Sequence, residues 1–157
     1  MKVIKGNLIK LAAHNAMFDV IVHGCNCFHT MGAGIAKQIK KTFPEAYRAD
    51  LSTIYGVRFK LGQYSSATVR LFNDKYLTIV NAYTQYYFKW NPEQPKRLVD
   101  YNAVRSCMKA IKKDFSGKKI GIPKIGAGLA GGDWKIISKI IDEELEGEDV
   151  TLVEYKN

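Results

Sequence analysis

The chain has no apolar run approaching the roughly 20 residues that a membrane-spanning helix needs. Its opening, Met1-Lys2-Val3-Ile4-Lys5, offers no apolar signal region before the Gly6-Asn7 turn. These absences lead to the expectation of a soluble, non-secreted, cytoplasmic protein without a membrane partner. Cysteine is scarce: Cys25, Cys27 and Cys107 form an odd set without the spacing of a disulfide framework. No second Cys or His pair completes a zinc site with Cys25 and Cys27, so reduced thiols are expected. A Gly-x-x-x-x-Gly-Lys-Ser/Thr phosphate loop is missing. So is the acidic and histidine cluster of a two-metal hydrolase. The residues six beyond each cysteine are Met31, Ala33 and Lys113, not the arginine of a cysteine-nucleophile phosphatase. Repeats, low-complexity tracts and linkers are also missing. The 157 residues are therefore read as a single domain, 1–157.

What is present begins with charge. A formal net charge of +9 permits an anionic partner without naming one. The lysines are scattered (Lys37, Lys40 and Lys41; Lys112 and Lys113; Lys118 and Lys119), and no arginine-rich block appears. Two readings stay open, a solvated basic surface and electrostatic attraction of a phosphorylated ligand or polymer. Hydrophobic residues make up 46% of the chain, enough for one core.

Apolar periodicity predicts alternating elements. Val3-Ile4 reads as a short strand, and Phe18 to Val22 as a buried β-branched strand ending at His23-Gly24. Ile35, Ile39 and Phe43 have helical spacing, and Pro44 is read as the stop of that helix. Gln63 to Leu71 and Tyr76 to Ala82 read as strands joined by a turn at Asn73-Asp74. Residues 85–96 look irregular. A helix over Asp100 to Lys113, a strand over Lys119 to Ile122, a helix over Trp134 to Leu145 and a strand over Val150 to Val153 follow. This order predicts an α/β domain: a mixed, mostly parallel sheet of about six strands between two helical layers. Ligands of such sheets sit beyond the carboxyl ends of the strands.

Two strand-to-helix loops are rich in glycine. The first runs from His23 through Cys25-Asn26-Cys27-Phe28-His29-Thr30-Met31 to Gly32-Ala33-Gly34. Its glycines allow close backbone approach, the helix that follows favours an anion, and Asn26 offers a donor and an acceptor suited to ribose hydroxyls. The second is Pro123-Lys124-Ile125-Gly126-Ala127-Gly128-Leu129-Ala130-Gly131-Gly132-Asp133. It carries no bulky polar side chain between Gly126 and Gly132, so its backbone is the useful surface. Each alone could be a plain glycine turn. Together they suit a diphosphate held between two sets of N–H groups. Gly126-x-Gly128-x-x-Gly131, with Glu154 roughly 20 residues on, also matches a dinucleotide fingerprint. Only one helix and one strand follow it, too little for a dinucleotide fold.

At these residues the chain resembles the macro domain family. The resemblance covers nearly the whole sequence, through Lys5-Gly6-Asn7-Leu8, the Asn26 loop to Gly34-Ile35-Ala36, Asn81-Ala82-Tyr83-Thr84-Gln85 and Ile125-Gly126-Ala127-Gly128-Leu129. It is nearest the subgroup of ADP-ribose 1″-phosphate phosphatases and ADP-ribosyl hydrolases. The resemblance implies a three-layer α/β/α fold that binds ADP-ribose. It places Asn7 at the adenine, with Leu8 and Ile9 beside it, and Asn26 at the distal ribose. Gly32, Ala33, Gly34 and Ile35 would meet one phosphate, and Gly126, Ala127, Gly128, Leu129 and Ala130 the other. Thr84 and Gln85, at the central strand end, are implied as further ligand residues. The de-ADP-ribosylating relatives carry Lys where Gln85 stands, and some carry Asp where Ala130 stands. Neither Gln nor Ala can replace a nucleophile or an acid.

His23 and Asp133 remain as catalytic candidates, with His29 a further acid/base candidate in the loop and His14 at the surface. His23 is also readable as a buried strand-end histidine and Asp133 as a helix cap. The aromatic residues Tyr83, Tyr86, Tyr87, Phe88 and Trp90 either pack the loop or wall the nucleotide. The expected reaction is hydrolysis of ADP-ribose 1″-phosphate, without metal or cofactor, by a monomer. The alternatives are removal of ADP-ribose from a modified protein or nucleic acid, and non-catalytic reading of ADP-ribose.

Overall fold

The computed structural model describes residues 1–90 and 97–157. Six strands form one sheet in the order β1-β6-β5-β2-β4-β3. They are β1 (Lys2–Gly6), β2 (Val20–Cys25), β3 (Tyr64–Arg70), β4 (Tyr76–Tyr83), β5 (Lys119–Ile122) and β6 (Asp149–Tyr155). All neighbours pair in parallel except β3 with β4, which form the expected antiparallel hairpin. Its turn places Asp74 at φ 63°, a conformation that Asp tolerates.

Among the described residues five α-helices complete the fold: α1 (Leu8–Ala13), α2 (Gly34–Thr42), α3 (Pro44–Leu51), α4 (Tyr101–Phe115) and α5 (Trp134–Glu144). Successive residues of β2 feed opposite sides of the sheet, as period-2 alternation requires. Val20 and Val22 join Val80, Ala82, Ile120 and Ile122 under Val104, Met108 and Ile111 of α4 and Ile137 and Ile141 of α5. Ile21 joins Leu77 and Ile79 under Ala12 of α1, Ile39 of α2 and Ala46 of α3. Two cores on two faces give the three-layer α/β/α architecture expected. Among the described residues no helix is long and apolar enough to cross a membrane.

Three differences from the sequence reading have physical causes. Pro44 does not merely stop α2 but opens α3 at its first turn, where a missing N–H costs nothing. The six-residue α1 is set by Asn7, whose side chain accepts from Lys10 N at 3.1 Å. The second strand runs past His23-Gly24 to Cys25, in register with β4 up to Tyr83. Gly24 belongs inside that strand: a Cβ there would stand 2.7 Å from Thr84 Oγ1. The expected irregular segment 85–96 is observed only to Trp90; Pro92 and Pro95 lie outside the described residues.

Candidate functional site

Two clefts lie over the carboxyl ends of the parallel strands. One, of about 800 Å³, is walled by Asn7, Leu8, Ile9 and Lys10 after β1 and by Glu154 and Tyr155 at the end of β6. The other, of about 460 Å³, lies between the glycine loops, with Gln85 and Phe88 on its far side. Gly34, Ile35, Pro123 and Lys124 line both, so the clefts form one trough.

Backbone donors dominate the second cleft. The N-cap of α2 is Ala33, which has no capping side chain. The N–H groups of Gly34, Ile35 and Ala36 therefore have no hydrogen-bond acceptor among the described residues. Across the cleft, the second loop is closed by Gly132 N–H donating to the Gly126 carbonyl at 2.7 Å and Gly131 N–H to that of Gly128 at 3.0 Å. The N–H groups of Gly128, Leu129 and Ala130 are left without an acceptor among the described residues. All six residues line the same cleft. The glycines divide by role. A Cβ at Gly32, Gly34 or Gly128 would meet nothing within 4 Å, whereas one at Gly126 (φ 73°) would stand 2.6 Å from Val99 Cγ2.

The first loop is tied down from within. Asn26 is only 8% exposed. Its amide donates to Thr30 O at 3.0 Å and Thr30 Oγ1 at 2.6 Å, and its carbonyl accepts from Phe28 N at 2.8 Å. The side chain thus braces the loop, and Thr30 and Gly32, rather than Asn26, line the cleft. His29 sits at φ 57° with its Nε2 2.9 Å from Thr53 O, and Tyr47 OH donates to the His29 carbonyl.

Neither catalytic candidate lines the trough. His23 is 0% exposed on the α2/α3 face of the sheet. Its Nε2–H donates to Asn81 Oδ1 at 2.7 Å. Burial drives its pKa down to about 4, against the raising effect of that bond. It stays neutral near pH 7. Asn81 in turn donates to Ser65 Oγ, Ser65 pairs with Tyr83 OH, and Tyr83 donates to the buried Asp50 carboxylate at 2.7 Å. His23 is the end of a buried polar chain that pins α3 to the sheet. Asp133 caps α5, accepting from Lys135 N at 2.9 Å. Of the expected ligand residues, Thr84 is fully buried behind Gly24, with an unpartnered hydroxyl, and Ala127 does not line the cleft. Gln85 does line it, held by donation to Tyr87 O at 2.9 Å.

Sequence reasoning missed Lys124 and Tyr155. Lys124 lies at the junction of the clefts, 3.8 Å from Glu154. Its place two residues after β5 and two before Gly126 was the available signal. Tyr155 is 76% exposed at the end of β6, and only the sheet order reveals that this strand lies beside β1. All three cysteines are buried free thiols, and burial raises the pKa of Cys27 to about 11 and of Cys107 to about 12. None offers a nucleophile.

Residues 22–141 match the Macro domain family. An uncharacterized 17.5 kDa protein from the tk-vs intergenic region of Enterobacteria phage T4 is 36% identical, over 99% of this chain and 97% of its own. A DNA ADP-ribosyl glycohydrolase of Thermus aquaticus is 23% identical over 93% of this chain, which spans 38% of that relative's length. The macrodomain of Thermus aquaticus DarG superposes with a TM-score of 0.69 at 22% identity, covering 99% of this chain and 97% of that one. With the family match spanning most of the chain and the trough placed over the strand ends, the chain belongs to the macro domain family.

Proposed function

We propose that the chain binds ADP-ribose along the trough and hydrolyses ADP-ribose 1″-phosphate to ADP-ribose and phosphate. The observation that carries this reading is the pair of N–H runs without an acceptor among the described residues, Gly34 to Ala36 and Gly128 to Ala130, on residues that line one cleft. Six preorganised donors suit the oxygens of a diphosphate. The wider cleft beside Asn7 and Tyr155 would take the adenosine end. Gln85 and the Thr30–Gly32 turn would then face the distal ribose.

The chemistry of the lining orders the alternatives. Among its described residues the second cleft has no carboxylate and no imidazole; its polar groups are backbone N–H groups, the Thr30 hydroxyl, the Gln85 amide and the Lys124 ammonium. Such a site stabilises developing negative charge better than it moves protons. In hydrolysis of the 1″-phosphate, water adds to the anomeric carbon as the phosphate leaves as an anion, the water's proton passing to solvent, whereas a bond to a nucleobase nitrogen, a poorer leaving group, would call on the lysine that Gln85 replaces. A second reading, removal of ADP-ribose from nucleic acid, is favoured by the similarity to the Thermus aquaticus DNA ADP-ribosyl glycohydrolase.

The test combines calorimetry with ADP-ribose and product analysis under single-turnover conditions. Phosphate release from ADP-ribose 1″-phosphate is the expected result. Release of ADP-ribose from a modified oligonucleotide would establish the second reading, and binding without either product would identify a reader of ADP-ribose.

A further inference from the structure

We propose that a third cleft, beside the trough and distinct from it, binds single-stranded nucleic acid. It has a volume of about 450 Å³ and is lined by Arg58, Tyr86, Tyr87, Arg97 and Tyr101, among others. The Arg58 guanidinium lies 4.0 Å from the centroid of the Tyr86 ring, and the Arg97 guanidinium lies 4.0 Å from that of Tyr101. Both arginines are exposed. Phe28, half-buried at the root of the first glycine loop, meets Tyr55, Tyr86 and Tyr87 edge-on at 5.3, 4.9 and 5.0 Å. The outer members of that cluster stay open to solvent, Tyr55 at 63% and Tyr87 at 38%.

Aromatic faces beside two stacked guanidiniums match a polymer that carries both π-faces and phosphates. Base stacking on aromatic side chains, joined to a basic track for the backbone, is how single strands are held without sequence preference. Among the described residues the one carboxylate in the lining, Asp100, is committed to capping α4, where it accepts from Ala103 N at 3.0 Å. The net charge of +9 adds long-range attraction for a polyanion. An acidic peptide would satisfy the arginines but leave the exposed rings unused.

The cleft adjoins the trough's distal end. Leu98 lines both, and Phe28 also meets Phe88 of the trough at 6.1 Å. A strand held here would run past the group that the distal ribose carries. That juxtaposition rests on the ADP-ribose reading of the trough; the strand site itself does not.

The experiment is fluorescence anisotropy with labelled dT12 and U12 at several salt concentrations, with ADP-ribose calorimetry in parallel. Wild type is expected to bind at least one oligomer, with affinity falling as salt rises. Arg58→Ala/Arg97→Ala should weaken binding about 10-fold or more and reduce the salt slope by about 1.4, about 0.7 for each lost single-strand phosphate contact. Tyr87→Ala should weaken it about 10-fold with the slope unchanged. A pair with the same charge change at the other end of α4, Lys113→Ala/Lys118→Ala, lies about 20 Å away and should have little effect. Absence of oligomer binding, equal losses from the lysine pair, or displacement by polyglutamate as effective as by unlabelled dT12 would each overturn the proposal. ADP-ribose affinity should be the same in the arginine variant and wild type. If wild type fails to bind ADP-ribose but holds the oligomer, the proposed function falls and the strand site stands.

Discussion

Gly128 and Gly126 stand two residues apart in one loop, and the surrounding atoms give them opposite jobs. Gly128 faces open space and does not need a positive φ, so Gly128→Val should leave stability within about 0.5 kcal/mol. Its side chain would enter the phosphate end of the trough, and calorimetry should find ADP-ribose binding lost; retained affinity would remove the second loop from the site. Gly126→Ala would press a Cβ against Val99 at φ 73° and should cost about 1–3 kcal/mol in urea unfolding. The sequence showed two glycines and no way to tell them apart, because the difference lies in Val99, remote in the chain. His23 was equally ambiguous, and burial decides it. Its pKa is about 4 when folded against 6.5 as the ordinary value. Between those values the unfolded chain holds the extra proton, so stability rises with pH and is lost as pH falls below 6.5. The loss attributable to His23 should reach about 3 kcal/mol by pH 4. Thermal melts of wild type and His23→Gln should therefore converge between pH 7 and pH 4.5. A pH-independent gap would mean that the imidazole is not held neutral in the fold.

The long elements were legible because one face of each is apolar. The helices α4 and α5 and the β3–β4 hairpin follow from periodicity and turn residues alone. The helices α1 and α3 were not, since six and eight residues carry too little pattern and their starts depend on caps. Caps also separate function from stability among the helices that follow the ends of the parallel strands. Asn7 and Asp133 satisfy the first turns of α1 and α5 with their side chains, whereas α2 begins at Ala33 with none. Ala33 already has the extended backbone of an N-cap, φ −143° and ψ 159°. Ala33→Asp should therefore supply the missing acceptor and complement the helix dipole, stabilising the protein by about 1 kcal/mol. The same carboxylate would occupy the donors meant for a phosphate and repel it, so ADP-ribose affinity should fall. A variant that is more stable and binds unchanged would show that the start of α2 is not a phosphate site.

The trough is built from parts that belong to different cores. The helix α2 packs through Ile39 into the core shared with α1 and α3, whereas Ile125 and Ala130 of the second loop pack into the core shared with α4 and α5. The sheet separates the two, and only the strand order brings their loops together at one edge. The sequence could therefore name the glycine loops as candidate ligand residues but could not distinguish the side chains that line the trough from those that brace the loops. Asn26, Thr84 and His23 were chosen for their chemistry, and all three are spent inside the fold. Lys124 and Tyr155 were not chosen, and both line the trough. A ligand spanning the trough should act as a clamp between the two cores. At a concentration one hundred times its Kd, ADP-ribose should stabilise the native state by about 2.7 kcal/mol. At about 2–4 °C per kcal/mol for a chain of this size, the melting temperature should rise by about 5–11 °C. AMP and ribose 5-phosphate each fill one end, so at equal millimolar concentration each should shift the melting temperature less than ADP-ribose. If AMP alone matched ADP-ribose, the cleft between the glycine loops would contribute nothing to binding, and the six N–H donors would have to serve another anion.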